Sequence, residues 1–180
     1  MAAIDVGAAA TDRAGAISLG NTQVNKENAA NDTGAITSVE IWLNLPYGDG
    51  ANVEVATFSA SGNDLTTRDS ETLGTVTAGS KQTFSGLDMD VETGDYLGTH
   101  GTSGYMETDS SGGSDIWVKW GDYIPCTSET FFLQSDDTIS LYGTGETPPS
   151  GWTGKISGVT DPAKIMGVDV TNIAEVKGVE

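Results

Sequence analysis

Cysteine, histidine and basic residues are what this chain has least of, and each shortage closes off a class of function. The single cysteine, Cys126, excludes an intrachain disulfide, leaves the redox compartment open and is expected to be a buried, inert thiol. The single histidine, His100, lies in Gly98-Thr99-His100-Gly101 and reads as a loop residue without a particular role. One histidine does not make a Ser-His-Asp or Cys-His arrangement legible, and no Cys/His cluster has zinc-ligand spacing. Eight Lys and Arg stand against 26 Asp and Glu, for a net charge of −18 at pH 7. No basic groove can be assembled from them, so nucleic acid and anionic membrane surfaces are excluded as partners. The acidity itself reads as solubility and resistance to aggregation, with cation binding or adaptation to salt as the alternatives.

Helical signals are also scarce. No stretch longer than about ten residues has helical apolar spacing, and no run approaches the ~18 apolar residues of a membrane-spanning helix. No phosphate-cradling glycine motif precedes a helix. Met1-Ala2-Ala3-Ile4-Asp5 lacks the basic and apolar regions of a secretory leader, so the protein is expected to assemble in the cell that makes it or to have lost its leader. Acidic pairs of the kind glycosidases use are too numerous here for any one to stand out, and no enzymatic activity is expected.

What the chain has is glycine, 24 of 180 residues, with abundant Thr, Ser, Asp and Asn. This is the composition of many short strands joined by tight turns. Alternation is clearest in Val39-Glu40-Ile41-Trp42-Leu43, Val53-Glu54-Val55-Ala56-Thr57-Phe58, Ile116-Trp117-Val118-Lys119-Trp120 and Ile139-Ser140-Leu141-Tyr142. Weaker strand signals lie at 72–76, 81–84, 89–91, 96–98 and 131–133. The connections are short, which favours antiparallel pairing, and two packed sheets are the expected solution. The expected fold is all-β, an antiparallel, jelly-roll-like sandwich with a C-terminal arm. Residues 1–34 form an irregular lead-in contributing to the sandwich, with one strand at 15–19; residues 35–145 form the sandwich; residues 146–180 are linker and arm. The inward set is Val39, Ile41, Leu43, Val53, Val55, Leu73, Leu97, Ile116, Val118, Trp120, Phe131, Leu133, Ile139 and Leu141.

Trp42, Trp117 and Tyr142 alternate away from that set. They are candidates for a subunit contact, for stacking on a glycan, or for covering the second face of a sheet. Asp109 and Asp115 flank a Ser/Gly run that could offer oxygen ligands to Ca²⁺, without the pattern of an EF-hand; no other cofactor is indicated.

The arm repeats a small unit three times: Gly154-Lys155-Ile156-Ser157-Gly158-Val159, Ala163-Lys164-Ile165-Met166-Gly167-Val168 and Ala174-Glu175-Val176-Lys177-Gly178-Val179. Pro148-Pro149 makes the preceding linker stiff, with the linker read over 144–153. Each unit is expected to be one helical turn ended by a glycine, Gly167 or Gly178, and followed by an extended piece. Ile156, Val159, Ile165, Val168, Val170, Ile173, Val176 and Val179 then supply an apolar strip that docks on the chain's own domain or on another subunit, because a segment this short cannot bury a core of its own.

Ile165-Met166-Gly167-Val168 followed by Ile173-Ala174-Glu175-Val176-Lys177-Gly178-Val179 resembles the C-terminal tails of virion structural proteins of tailed bacteriophages. The stretch from Gln82 to Gly98 is similar to strands of jelly-roll modules found beside such tails. The resemblance implies a non-enzymatic capsid decoration or tail-associated protein, located in the virion. It would dock through its arm onto other virion proteins and form symmetric homo-oligomers. A glycan-binding receptor-recognition module of a phage tail and a secreted or cell-surface structural protein are the alternatives.

Overall fold

The computed structural model describes residues 2–148 and four short strands of the arm. In chain order the strands are β1 (Ala3–Gly7), β2 (Gly15–Ser18), β3 (Asn21–Asn25), β4 (Gly34–Trp42), β5 (Gly50–Ser61), β6 (Asp64–Val76), β7 (Lys81–Val91), β8 (Tyr96–His100) and β9 (Tyr105–Asp109). They continue with β10 (Ile116–Trp120), β11 (Glu129–Thr130), β12 (Phe132–Gln134), β13 (Thr138–Ile139) and β14 (Leu141–Glu146). The arm contributes β15 (Lys155–Ile156), β16 (Val159–Thr160), β17 (Lys164–Ile165) and β18 (Val168–Asp169). One 3-10 turn, Leu45–Tyr47, starts where Pro46 breaks the strand pattern.

The fold is all-β, and the strand ladders are antiparallel. A four-stranded sheet in the order β1-β14-β4-β7 lies against a seven-stranded sheet in the order β11-β6-β5-β8-β3-β10-β12, and a small sheet β13-β9-β2 accompanies them. The main core draws on both large sheets. Ile4, Val6, Ile36, Val39, Ile41, Met89, Val91 and Leu141 come from the four-stranded sheet, and Val53, Val55, Leu97, Ile116 and Val118 from the seven-stranded one. These are the alternating apolar positions, as a sheet with one face on the core requires.

The seven-stranded sheet also buries part of its other face. Val24, Ala56, Phe58, Leu65 and Trp117 form a second cluster, closed by Ile124 and Phe131 from the segment that follows β10. Strands buried on both sides lose clean alternation, which is why Ile116-Trp117-Val118 is apolar throughout. The covering segment is tied down by its backbone. Cys126 N–H donates to Thr67 Oγ1 at 2.9 Å, Thr67 N–H donates to the Cys126 carbonyl at 3.0 Å, and Phe131 N–H donates to the Asn63 carbonyl at 2.8 Å.

Several expectations are corrected. The lead-in is not irregular: β1 pairs with β14 and β3 is central to the larger sheet, sandwiched between β8 and β10. Residues 144–146 belong to β14, paired with both β1 and β4, rather than to the linker. Of the inward set, Trp120 is 74% exposed and Leu133 43%, because β10 ends at Trp120 and β12 is an edge strand. Cys126 is half-buried, not buried. In the arm, β15 pairs with β16 and β17 with β18, so the first two repeat units are strand pairs where helical turns were expected. The third unit, the linker after Pro148 and the expected conformations of Gly167 and Gly178 lie outside the described residues.

Candidate functional site

The outer face of the seven-stranded sheet carries polar residues just beyond its apolar cluster. On β5, β8 and β3 the residues two positions from Ala56, Gly98 and Val24 are Glu54, His100 and Thr22, so strand alternation puts them on the same face. Register does the rest: Glu54 stands directly opposite His100. Thr22 secures the chain leaving β10. Its N–H and Oγ1 both donate to the Gly121 carbonyl, at 3.0 and 2.9 Å, and its Oγ1 accepts from Tyr123 N–H at 2.9 Å. Asp122 is thereby fixed between two anchored neighbours, and its Oδ1 also accepts from Ile124 N–H at 3.0 Å.

The result is a group of three ligand-bearing side chains, Glu54, His100 and Asp122, whose ligand atoms all lie within 4.8 Å of one another. His100 Nδ1 is 3.3 Å from Glu54 Oε1 and 3.6 Å from Asp122 Oδ1. His100 is only 7% exposed, Glu54 is half-buried and Asp122 is open to solvent. Burial raises the pKa of Glu54, and the charge of Asp122 raises it further, while the hydrogen bond with His100 acts in the opposite direction. His100 is therefore a strand residue in a polar cluster, not the loop residue expected. The strand signal at 96–98 stopped short of it, and Gly98 and Gly101 around it read as a loop.

The other candidate residues are dispersed. Trp117 is 3% exposed, packs edge-on to Tyr96 with ring centroids 4.9 Å apart, and donates from Nε1 to Asn63 Oδ1 at 2.9 Å. It belongs to the second cluster and covers the far sheet face, so it is unavailable for stacking. Tyr142 is half-buried on β14, opposite Glu40 of β4. Trp42 is half-buried and lines a shallow groove with Asn44, Leu45, Pro46 and Glu107.

Asp109 and Asp115 each have a cationic partner of their own. Arg13 Nη1 meets Asp109 Oδ2 at 2.6 Å, and Lys26 Nζ meets Asp115 Oδ2 at 3.5 Å. Their other oxygens accept backbone N–H groups of Ala14 and Asp136. That leaves this pair poorly equipped for Ca²⁺, which prefers free carboxylates and carbonyls.

Two surface features were not anticipated. Trp120 and Phe132, 74% and 63% exposed, lie against each other with ring centroids 5.5 Å apart, and Leu133 continues this apolar edge along β12. Leu45 and Tyr47 project from the 3-10 turn, where Tyr47 stacks on Tyr105 at 4.2 Å.

In the arm, Ile156 stands opposite Val159 and Ile165 opposite Val168. The remaining docking candidates, Gly167, Val170, Ile173, Val176, Gly178 and Val179, lie outside the described residues. No family model, curated protein or solved structure matches the chain.

Proposed function

We propose that the protein is a non-enzymatic virion structural protein, a capsid decoration or tail-associated subunit that displays its sandwich and docks through the C-terminal arm. The observation that carries this reading is the arm. Two successive repeat units pair as two-residue strands, each placing an Ile opposite a Val. Strand pairs of that size are not stable alone in water. A series of them following a sandwich with its own large core needs a surface to lie on, and the resemblance to phage tails makes that surface another virion protein. The apolar edge of Trp120, Phe132 and Leu133 supports symmetric self-association, since an exposed edge strand offers unpaired backbone groups beside apolar side chains.

The test is removal of residues 154–180 from the chain supplied to assembling particles. The truncated protein should remain folded and soluble and be absent from purified particles. Its presence at the full-length level would overturn the docking role.

A further inference from the structure

We propose that Glu54, His100 and Asp122 form a binding site for a divalent first-row transition metal, with Zn²⁺ as the simplest probe, and that the bound ion clamps the segment after β10 onto the sheet. The separations suit such a site: the His100–Glu54 hydrogen bond is long, and Asp122 lies beyond hydrogen-bond reach of His100. At 3.3 and 3.6 Å from the two carboxylate oxygens, His100 Nδ1 is farther than the ~2.7–2.9 Å of a charge-assisted hydrogen bond. Tetrahedral coordination with metal–ligand bonds of roughly 2.0–2.1 Å puts neighbouring ligand atoms about 3.3–3.4 Å apart. His100 is therefore spaced from each carboxylate much as adjacent corners of such a site are, and all three ligand atoms lie within 4.8 Å of one another.

The ligand chemistry narrows the ion. One imidazole nitrogen with two carboxylates suits Zn²⁺ and its first-row neighbours, whereas Ca²⁺ and Mg²⁺ prefer oxygen throughout. The support is rigid. Glu54 and His100 are opposed across a strand ladder, and Asp122 is held by the Thr22 hydrogen bonds on both sides of it. Three protein ligands leave a fourth position for water or another ligand. Asp122 opens the segment whose Ile124 and Phe131 close the second apolar cluster, so an ion here would link that segment to β5 and β8.

The experiment uses the full chain, stripped with a chelator and dialysed, titrated calorimetrically with Zn²⁺ and followed in parallel by the visible spectrum of added Co²⁺. The expected result is saturable binding of one ion per chain, a tetrahedral Co²⁺ spectrum, and a rise in melting temperature with Zn²⁺. His100→Gln should abolish the Co²⁺ spectrum. Asp122→Asn keeps the Oδ1 that accepts from Ile124 N–H and removes only the charge, so it should weaken Zn²⁺ at least tenfold while the metal-free melting temperature is kept. Asp88→Asn, on the exposed side of β7, should leave the affinity unchanged. Absence of one-to-one binding would overturn the proposal. So would Zn²⁺ affinity surviving both His100→Gln and Asp122→Asn, which would mark diffuse association with an acidic surface.

Discussion

Arg68→Met should destabilise the sandwich by an amount set by one buried carboxylate. Asp95 sits in the turn between β7 and β8 with its side chain only 4% exposed, while the Arg68 side chain is 26% exposed. The guanidinium engages both carboxylate oxygens, through Nε and through Nη2 at 3.1 Å, and Nη1 reaches Glu92 at 2.9 Å. Removing one partner of a fully buried pair costs about 3–5 kcal/mol, because the other charge is stranded. Here water reaches the arginine side, and Glu92 N–H still donates to Asp95 at 2.9 Å, so the expected loss is smaller, about 2–4 kcal/mol. For a chain of this size a loss near 3 kcal/mol lowers the melting temperature by roughly 6–12 °C. Urea unfolding of Arg68→Met, Asp95→Asn and the double variant provides the assay. The double variant should be more stable than Arg68→Met alone, because no charge is then left buried. A loss below about 1 kcal/mol for Arg68→Met, or additive losses in the double variant, would refute the argument.

Other substitutions probe other layers of the account. Trp117→Ala should cost about 3–5 kcal/mol by equilibrium unfolding, since it empties the second cluster and deprives Asn63 of its donor. Gly145→Ala should cost about 1–3 kcal/mol in the same measurement. The reason is that a Cβ there would run into the backbone carbonyl of Ala35, which cannot swing aside, at the bulge between β14 and β4. Glu54→Gln should change how stability varies with pH in chelator-treated protein. The folded-state pKa of Glu54 is raised, so its favourable contribution is full below the ordinary glutamate range and is lost as pH rises through the raised value. The variant should therefore gain stability relative to the parent between mildly acidic and neutral pH; a constant difference across that range would contradict the assignment.

The parts of the fold legible in the sequence are those where burial has a period. Val39, Ile41, Val53, Val55, Ile116 and Val118 occupy the core as their alternation requires. β3, Asn-Thr-Gln-Val-Asn, was not legible, because its buried side chains Thr22, Gln23 and Asn25 are polar. Gln23 donates to the Ser18 carbonyl and Asn25 to that of Ile139. Trp120 follows the inward alternation of Ile116 and Val118 yet is exposed, because pattern does not say where a strand ends; Leu133 stands opposite Trp117, on the outer face of an edge strand. The Glu54, His100 and Asp122 group was hidden for a related reason. Its members are 46 and 22 residues apart in sequence and meet only through the β5–β8 register and the Thr22 anchor. The arm was legible as a repeat but not in its conformation: its first two units hold paired strands where helical turns were expected.

The central claim is that the arm is sufficient for docking, and transfer of the arm tests it most directly. Residues 147–180 would be fused to an unrelated, monomeric folded carrier, produced together with assembling particles, and counted in purified particles by quantitative mass spectrometry. The account predicts that the fused carrier is retained at a copy number comparable to that of the full chain, while the carrier alone is absent. Particles that retain the full chain but exclude the fused carrier would contradict it, and would place the docking surface on the sandwich.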